Sequence, residues 1–117
     1  MEDARILLVE DERKIADSLK KGLTENQYEV EVAYDGLVGK KLFNSYPFDL
    51  AILDINLHRE MVFPLARALR ARNIPFVFTT GYDRTSVEAE FQDVHLWEKP
   101  LDITAMASDL AGLIQRR

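Results

Sequence analysis

Five side chains able to bind a cation or take part in phosphoryl chemistry stand at or near the ends of apolar segments in this sequence. They are Glu10, Asp11, Asp54, Thr80 and Lys99. Taken singly, each has an ordinary explanation, since acidic residues cap helices, Thr-Gly pairs form turns and lysines lie in solvent. Their shared position after apolar runs indicates instead that they form one site.

The chemistry of such a site follows from its charges. Three carboxylates held together repel one another, and a nearby cation relieves this repulsion. Lys99 supplies one positive charge, and oxygen donors favour Mg²⁺, with Mn²⁺ as an alternative. An aspartate beside a metal and a lysine can attack phosphorus and form an aspartyl-phosphate. We predict Asp54 as this nucleophile, with Thr80 and Lys99 sharing the charge of the phosphoryl group.

The elements that must position these residues can be read from the hydrophobic spacing. Five short apolar segments predict β-strands, and stretches of helical period follow them. The predicted strands cover residues 5–9, 28–33, 49–53, 76–79 and 94–97. Strands that alternate with helices are typical of an α/β fold, in which a parallel sheet is covered by helices on both faces.

The composition of the strands predicts their order in the sheet. Segments 6–9, 50–53 and 76–78 are continuously apolar, as strands buried on both faces must be. Segment 28–32 alternates and segment 94–98 is mixed, which places the second and fifth strands at the edges. The doubly wound order 2-1-3-4-5 satisfies these conditions and brings the five candidate side chains to the carboxyl edge, where ligands bind.

Length and composition limit the class of protein. A chain of 117 residues without cysteine is predicted to be one domain, residues 1–117, with no disulfide. No apolar run approaches the roughly 20 residues that span a bilayer, and the first residues are acidic, so we expect a soluble cytoplasmic protein without membrane contact. The net charge of −5 argues against direct binding to nucleic acid.

Four motifs in a fixed order resemble those of the receiver domain of two-component response regulators, over essentially the whole chain. They are Leu-Leu-Val-Glu-Asp-Glu (7–12), Asp-Leu-Ala-Ile-Leu-Asp (49–54), Phe-Val-Phe-Thr-Thr-Gly (76–81) and Glu-Lys-Pro (98–100). The resemblance implies a flavodoxin-like (βα)5 fold. It also implies that Asp54 accepts phosphate from a phosphohistidine on a histidine kinase or histidine phosphotransfer protein, and that phosphorylation changes binding to a downstream protein.

The resemblance also assigns roles to individual residues. Asp11 would ligate Mg²⁺ directly and Glu10 through water, with the backbone carbonyl of Asn56 completing the protein's share. Thr80 and Lys99 would contact the phosphoryl group, and the peptide bond between Lys99 and Pro100 would be cis. Asn56 and Tyr82 flank the expected path of an attacking water, so they are predicted to tune dephosphorylation.

Two departures from the family pattern concern the output of the switch. Leu96 occupies the position where receivers usually carry a Tyr or Phe tied to switching, and Trp97 follows it. The segment from Thr80 to Lys99 is a few residues short, which predicts a truncated fourth helix. The Asp-Ile-Asn-Leu pattern and the Thr-Gly-Tyr turn are similar to those of stand-alone, single-domain receivers.

Three alternatives to a phosphorylation switch remain open from the sequence. A Mg²⁺-dependent phosphohydrolase would usually carry a second acid two residues after the nucleophile, where Asn56 stands. A flavodoxin-like mononucleotide binder would not place Glu10 and Asp11 where a phosphate must bind. A phosphorylation-independent adaptor would keep the fold without the chemistry. We therefore predict a phosphoacceptor with self-dephosphorylation rather than an enzyme that turns over small substrates.

Overall fold

The fold is a five-stranded sheet flanked by helices, seen in a computed structural model that describes residues 3–55, 59–81 and 87–115. Those residues contain five strands, four α-helices and one 3-10 turn. In chain order they are β1 (Ala4–Val9), α1 (Arg13–Glu25), β2 (Tyr28–Ala33), α2 (Gly36–Ser45), β3 (Leu50–Asp54), α3 (Arg59–Ala71), β4 (Phe76–Thr80), the 3-10 turn (Ala89–Phe91), β5 (Leu96–Glu98) and α4 (Ile103–Gln115).

All strand pairs are parallel, and their order is β2-β1-β3-β4-β5. Ile6 of β1 lies opposite both Val30 and Leu50, and Phe78 of β4 lies opposite Leu96. The predicted α/β doubly wound fold and its strand order are therefore confirmed, including the two edge strands. Every residue of β3 and β4 is buried, as their continuous apolar composition requires.

The two faces of the sheet carry separate hydrophobic clusters, because successive strand residues point to opposite sides. Leu7 and Val9 of β1 belong to the cluster beneath α2 and α3. Ile6 and Leu8 belong to the cluster beneath α1 and α4. Since each strand is clamped from both sides, its carboxyl end can hold a polar side chain in a fixed position.

Two helices begin at aspartate caps close to the carboxyl edge. The Asp35 carboxylate accepts the Val38 N–H at 2.8 Å at the start of α2, and Asp102 accepts the Ala105 N–H at 3.1 Å at the start of α4. Each cap satisfies a backbone donor that the first turn of a helix leaves unpaired. The chain can thus turn into α2 and α4 shortly after β2 and β5 end.

The connection between β4 and β5 differs most from a regular βα unit. In its described part, residues 87–95, the 3-10 turn is the one helical element, in line with the predicted truncation of a fourth helix. The turn buries Phe91 completely. The Phe91 ring lies 5.5 Å from the ring of Phe63 and 5.7 Å from that of Phe78. One aromatic side chain thus covers this part of the sheet.

Two arginines of α3, here called the arginine clamp, hold the same connection from outside. Arg67 pairs with the carboxylates of Glu88 and Glu90. Arg70 donates to the backbone carbonyl of Glu90 at 2.9 Å and pairs with Asp93 at 3.2 Å. Both guanidinium groups lie over the Phe91 ring, at 5.9 and 5.1 Å from its centre. The clamp therefore fixes the 3-10 turn against α3.

Two strand boundaries differ from the prediction, at the start of β5 and at the end of β3. β5 begins at Leu96 rather than at residue 94, because the Val94 N–H donates to the carbonyl of Phe91 and belongs to the preceding turn. β3 includes Asp54 as its last residue, and Asp54 pairs in register with Thr79. Asp54 is thus held by the sheet itself.

Among the described helices, none combines the length and the apolar character needed to cross a bilayer.

Candidate functional site

The carboxyl edge of the sheet brings the predicted site residues together. Glu10 directly follows β1, Asp54 ends β3, Thr80 ends β4 and Lys99 directly follows β5. Glu10, Asp54 and Thr80 are buried, whereas the next residue after Glu10, Asp11, is exposed. The Lys99 side chain is 12% exposed. Residues distant in sequence therefore lie at one edge of the sheet, and the group formed by Glu10, Asp11, Asp54 and Lys99 is here called the acid pocket.

The charged groups of the acid pocket lie within direct reach of one another. One carboxylate oxygen from each of Glu10, Asp11 and Asp54 lies within 4.8 Å of the others. The ammonium nitrogen of Lys99 is 2.8 Å from Glu10 Oε1 and 3.2 Å from Asp54 Oδ2. A single lysine thus bridges two buried carboxylates, and the third carboxylate stands at the solvent side.

Burial and pairing act in opposite directions on Glu10. Burial raises the pKa of its carboxyl to about 7, against the lowering effect of Lys99 and of the Glu12 N–H, while the negative charge of Asp54 raises it further. Burial also acts to lower the pKa of the Lys99 ammonium, but Glu10 and Asp54 outweigh it and raise that pKa. The pocket therefore favours the charged form of Lys99 and the protonated form of Glu10.

The donor set fits a hard divalent cation. All three acidic residues offer carboxylate oxygens, which are the ligands that Mg²⁺ and Mn²⁺ prefer. Glu10 Oε1 is buried, and its cationic neighbour among the described residues is Lys99, at 2.8 Å, which is shared with Asp54. A further positive charge beside these carboxylates would therefore stabilise them.

Some predicted contributors are tested by the structure and others are not. The cis peptide bond between Lys99 and Pro100 is confirmed. Asn56 and Tyr82 lie outside the described residues, so their roles stay predictions. Leu96, at the usual aromatic position, is buried in the same hydrophobic cluster as Phe91. A side chain at 6% exposure, packed into the core, shows that this position carries a core residue here.

One participant was missed by the sequence reasoning. The backbone N–H of Glu12 donates to Glu10 Oε2 at 3.0 Å and holds that carboxylate in the pocket. This contact involves no side chain of Glu12. The only signal in the sequence is the spacing, because an acidic side chain often accepts a hydrogen bond from the backbone N–H two residues further along the chain.

A groove beside the acid pocket includes Lys99 in its lining. It has a volume of about 320 Å³ and is lined by Lys99 and Pro100 and by residues of α1 that include Lys14, Ile15 and Ser18. A larger groove of about 840 Å³ lies at the opposite edge of the sheet and includes Pro75 and His95. The position of the chemistry is therefore given by the charged side chains and not by the largest concavity.

Comparison with known proteins defines the class. The family described as "Response regulator receiver domain" matches residues 6–108 of the chain. The chain therefore belongs to the response regulator receiver family of two-component systems. Members of this family are signalling domains rather than metabolic enzymes, and they bind Mg²⁺ at an acidic pocket and are phosphorylated by histidine kinases.

Individual relatives agree with this assignment. The chain is 29% identical over 119 residues to the transcriptional regulatory protein TctD of Salmonella typhimurium, covering 96% of this chain and 52% of TctD. The chain thus spans about half the length of that relative. The solution structure of SdrG from Sphingomonas melonis Fr1 is 37% identical, with a TM-score of 0.79, and the match covers 95% of this chain and 96% of SdrG.

A further solved structure supports the fold alone. The receiver domain of the Francisella response regulator 1452 matches with a TM-score of 0.83 at 24% identity, covering 97% of this chain and 98% of that one. The solution structure of the BeF3-activated conformation of SdrG from Pseudomonas melonis Fr1 is 37% identical, with a TM-score of 0.78. That match covers 94% of this chain and 95% of the SdrG chain.

Proposed function

We propose that the chain is a phosphorylation-controlled switch in which Asp54 takes a phosphoryl group from a phosphohistidine. The donor would be a histidine kinase or a histidine phosphotransfer protein. The observation that carries the proposal is the position of Asp54, buried at the end of β3, with Lys99 Nζ 3.2 Å from one oxygen and two further carboxylates beside it. Family membership supports the same reaction.

The transfer step needs only the donor and Asp54 as reacting groups. A carboxylate oxygen of Asp54 attacks phosphorus and forms an O–P bond while the P–N bond to the donor imidazole breaks. The bonding electron pair stays on the imidazole nitrogen, which then takes up a proton. The rigid sheet contributes by holding the attacking oxygen in place, which lowers the entropic part of the barrier.

The surrounding side chains would hold a cation and the transferred group. Glu10, Asp11 and Asp54, with the backbone carbonyl of Asn56, would bind Mg²⁺ or Mn²⁺. A bound divalent ion supplies charge neutralisation for the phosphoryl oxygens. Lys99 would leave its bridging position and contact the phosphoryl group together with Thr80. This exchange of partners would shift the protein between two conformations.

The partners follow from the surfaces around the site. A donor protein bound against α1 would reach Asp54 past the groove that Lys99 shares with Lys14 and Ser18. The changed conformation would bind a downstream protein, and we place the exchange in the cytoplasm. Asn56 and Tyr82 would set the rate of self-dephosphorylation. We propose that residues 1–117 act as one receiver domain and turn over no small substrate.

The test is phosphorylation by a small donor. The protein is incubated with Mg²⁺ and acetyl phosphate and its intact mass is measured. We expect a mass gain of about 80 Da, one phosphoryl group. The gain should disappear without Mg²⁺ and in Asp54→Asn, and it should persist in the control Asp17→Asn, which changes an exposed aspartate on α1.

The alternatives predict other outcomes of the same experiment. Mg²⁺ binding without any adduct would favour the phosphorylation-independent adaptor. Continuous release of phosphate from a phosphoester would favour the phosphohydrolase. An adduct that persists in Asp54→Asn would contradict the assignment of the nucleophile.

A second experiment separates switching from phosphorylation. Lys99→Ala should still bind Mg²⁺ and fold, but its amide NMR spectrum should respond far less to Mg²⁺ with beryllofluoride than that of the wild type. Lys14→Ala, which removes a lysine from the neighbouring groove, serves as the control and should respond normally. A normal response of Lys99→Ala would exclude Lys99 as the group that reports phosphorylation.

A further inference from the structure

An apolar groove runs between α2 and α3, on the face of the sheet opposite α1 and α4. It has a volume of about 330 Å³ and its walls include Phe43 of α2 and Pro64, Leu65 and Ala68 of α3. Lys40 is the one charged side chain among the described residues that line it. A cleft of this size and composition can accept apolar side chains from a partner.

Exposed apolar side chains also lie on and directly after α2, outside the lining of the groove. Leu37, Val38 and Tyr46 are the large apolar side chains that the described part of the chain exposes most, at 51, 40 and 50%. All three lie on α2 or directly after it. Leu37 is three and four residues before Lys40 and Lys41, so it shares a helix face with them. Leu37 therefore lies beside Lys40, which lines the groove.

The rim of the groove is positively charged in a protein of net charge −5. The helix α2 contains Lys40 and Lys41 and no acidic residue. At the far end of α3, the Arg72 guanidinium lies 4.1 Å from the centre of the Phe43 ring and 3.5 Å from the Phe43 carbonyl oxygen. Lys40 in the lining and Arg72 beside Phe43 therefore give the cleft two neighbouring cations, which makes this surface complementary to an acidic partner.

We propose that the α2–α3 groove docks an amphipathic helix of a partner protein, with its apolar side chains in the cleft and its acidic residues facing Lys40 and Arg72. Helices bind grooves of this kind through apolar side chains spaced three and four residues apart. The described residues that line the groove do not include Glu10, Asp11 or Asp54, so docking can be tested on the unphosphorylated chain.

The test uses a synthetic helical probe and the full chain labelled with ¹⁵N. The probe is a peptide of about 18 residues, long enough to form helix, with Leu at positions i, i+3, i+4 and i+7 of each repeat and Glu elsewhere. We expect amide shift changes concentrated in α2 and α3. A peptide with Lys in place of Glu should bind at least about tenfold more weakly.

Matched charge variants locate the contact. Lys40→Glu combined with Lys41→Glu should weaken probe binding about tenfold. Lys20→Glu combined with Lys21→Glu makes the same change in an exposed adjacent pair on α1, on the other face of the sheet, and should change binding less than about twofold. Ala68→Gln, which places a polar side chain in the wall of the groove, should also weaken binding, with folding checked by thermal unfolding.

Several results would overturn the proposal. These are shift changes centred on α1 and α4, equal weakening by the two lysine pairs, equal binding of the acidic and basic peptides, and no binding at millimolar probe. Binding of the chain to anionic vesicles that Lys40→Glu with Lys41→Glu abolishes, without binding of the peptide, would assign the surface to lipid. A dimer that occupies the groove would assign it to a second copy.

Discussion

Two regions of this molecule pair acidic with basic side chains, but the pKa of the glutamate is raised in one region and lowered in the other. In the acid pocket, burial raises the pKa of Glu10 to about 7 although Lys99 lies beside it. In the arginine clamp, the hydrogen bond from Arg67 lowers the pKa of Glu90, which is exposed to solvent. The same residue type is thus shifted in opposite directions, and the difference lies in access to water.

The contrast separates charges that serve function from charges that serve structure. The acid pocket holds like charges close together because the strands on which they stand cannot move apart, and this arrangement suits cation and phosphoryl binding. The clamp consists of exposed ion pairs, which contribute little to stability singly. What stabilises the connection is the buried ring of Phe91 beneath the clamp. Mutations in the two regions should therefore act with opposite sign.

The largest effect is expected from Phe91→Ala. Removing a fully buried ring leaves a cavity among Phe63, Phe76 and Phe78, and we expect a loss of about 3–5 kcal/mol in the free energy of unfolding by urea. Phe91→Leu, which keeps most of the volume, should lose less than about 1.5 kcal/mol. Mg²⁺ affinity should stay within about twofold in both variants, since Phe91 belongs to the hydrophobic cluster beneath α2 and α3 and supplies no group to the acid pocket. A large loss of Mg²⁺ affinity would show that the two regions are coupled.

A smaller effect of opposite sign is expected from Glu10→Gln in metal-free protein. The pKa of Glu10 is about 7 in the folded state, above its ordinary value near 4.5, so the folded state binds this proton more tightly. This tighter proton binding stabilises the folded state fully below pH 4.5, and the stabilisation is lost as the pH rises to about 7. At pH 8 with EDTA, Glu10→Gln should therefore be more stable than wild type by about 1–3 kcal/mol.

The check is urea unfolding of both proteins between pH 5 and pH 8. The stability difference should grow with pH, and excess Mg²⁺ should reverse it at pH 8 because the wild type binds the ion more tightly. A constant difference across this range would mean that Glu10 does not hold its proton in the folded state.

The smallest effect is expected from Arg67→Gln. Its ion pairs with Glu88 and Glu90 are exposed, so global stability should fall only slightly, and the difference should shrink in 1 M salt, whose screening length is roughly 3 Å. Amide hydrogen exchange at Ala89–Phe91 should accelerate, because the clamp fixes the 3-10 turn locally. Exchange in β1 and β3 should not change. Faster exchange there would assign the clamp a role in the whole fold.

The sequence predicted the central part of the molecule well for a physical reason. β2 was predicted with its observed bounds because Tyr28 to Ala33 alternate between apolar and polar residues, and the order of strands followed from which segments are apolar on both faces. Glu10, Asp54 and Lys99 could be predicted to lie close together because the carboxyl ends of all parallel strands lie at one edge of the sheet.

The periphery was less predictable for an equally physical reason. The clamp joins Arg67 and Arg70 to acidic residues 20 to 23 positions away, and exposed ion pairs of this kind follow no periodicity. The start of β5 was misplaced because Val94 is apolar but belongs to a turn. The sharing of Lys99 between two carboxylates depends on side-chain geometry, which spacing in the sequence does not specify.

The bridging of Glu10 and Asp54 by one lysine has a consequence for signalling logic. With all its groups ionised, the pocket holds three carboxylates against one ammonium, so an incoming phosphoryl group meets a net negative site. Under the proposed function, the donor would react with Asp54 only where a divalent ion already offsets this charge. The switch would then respond to the phosphodonor and the metal ion together and not to either alone.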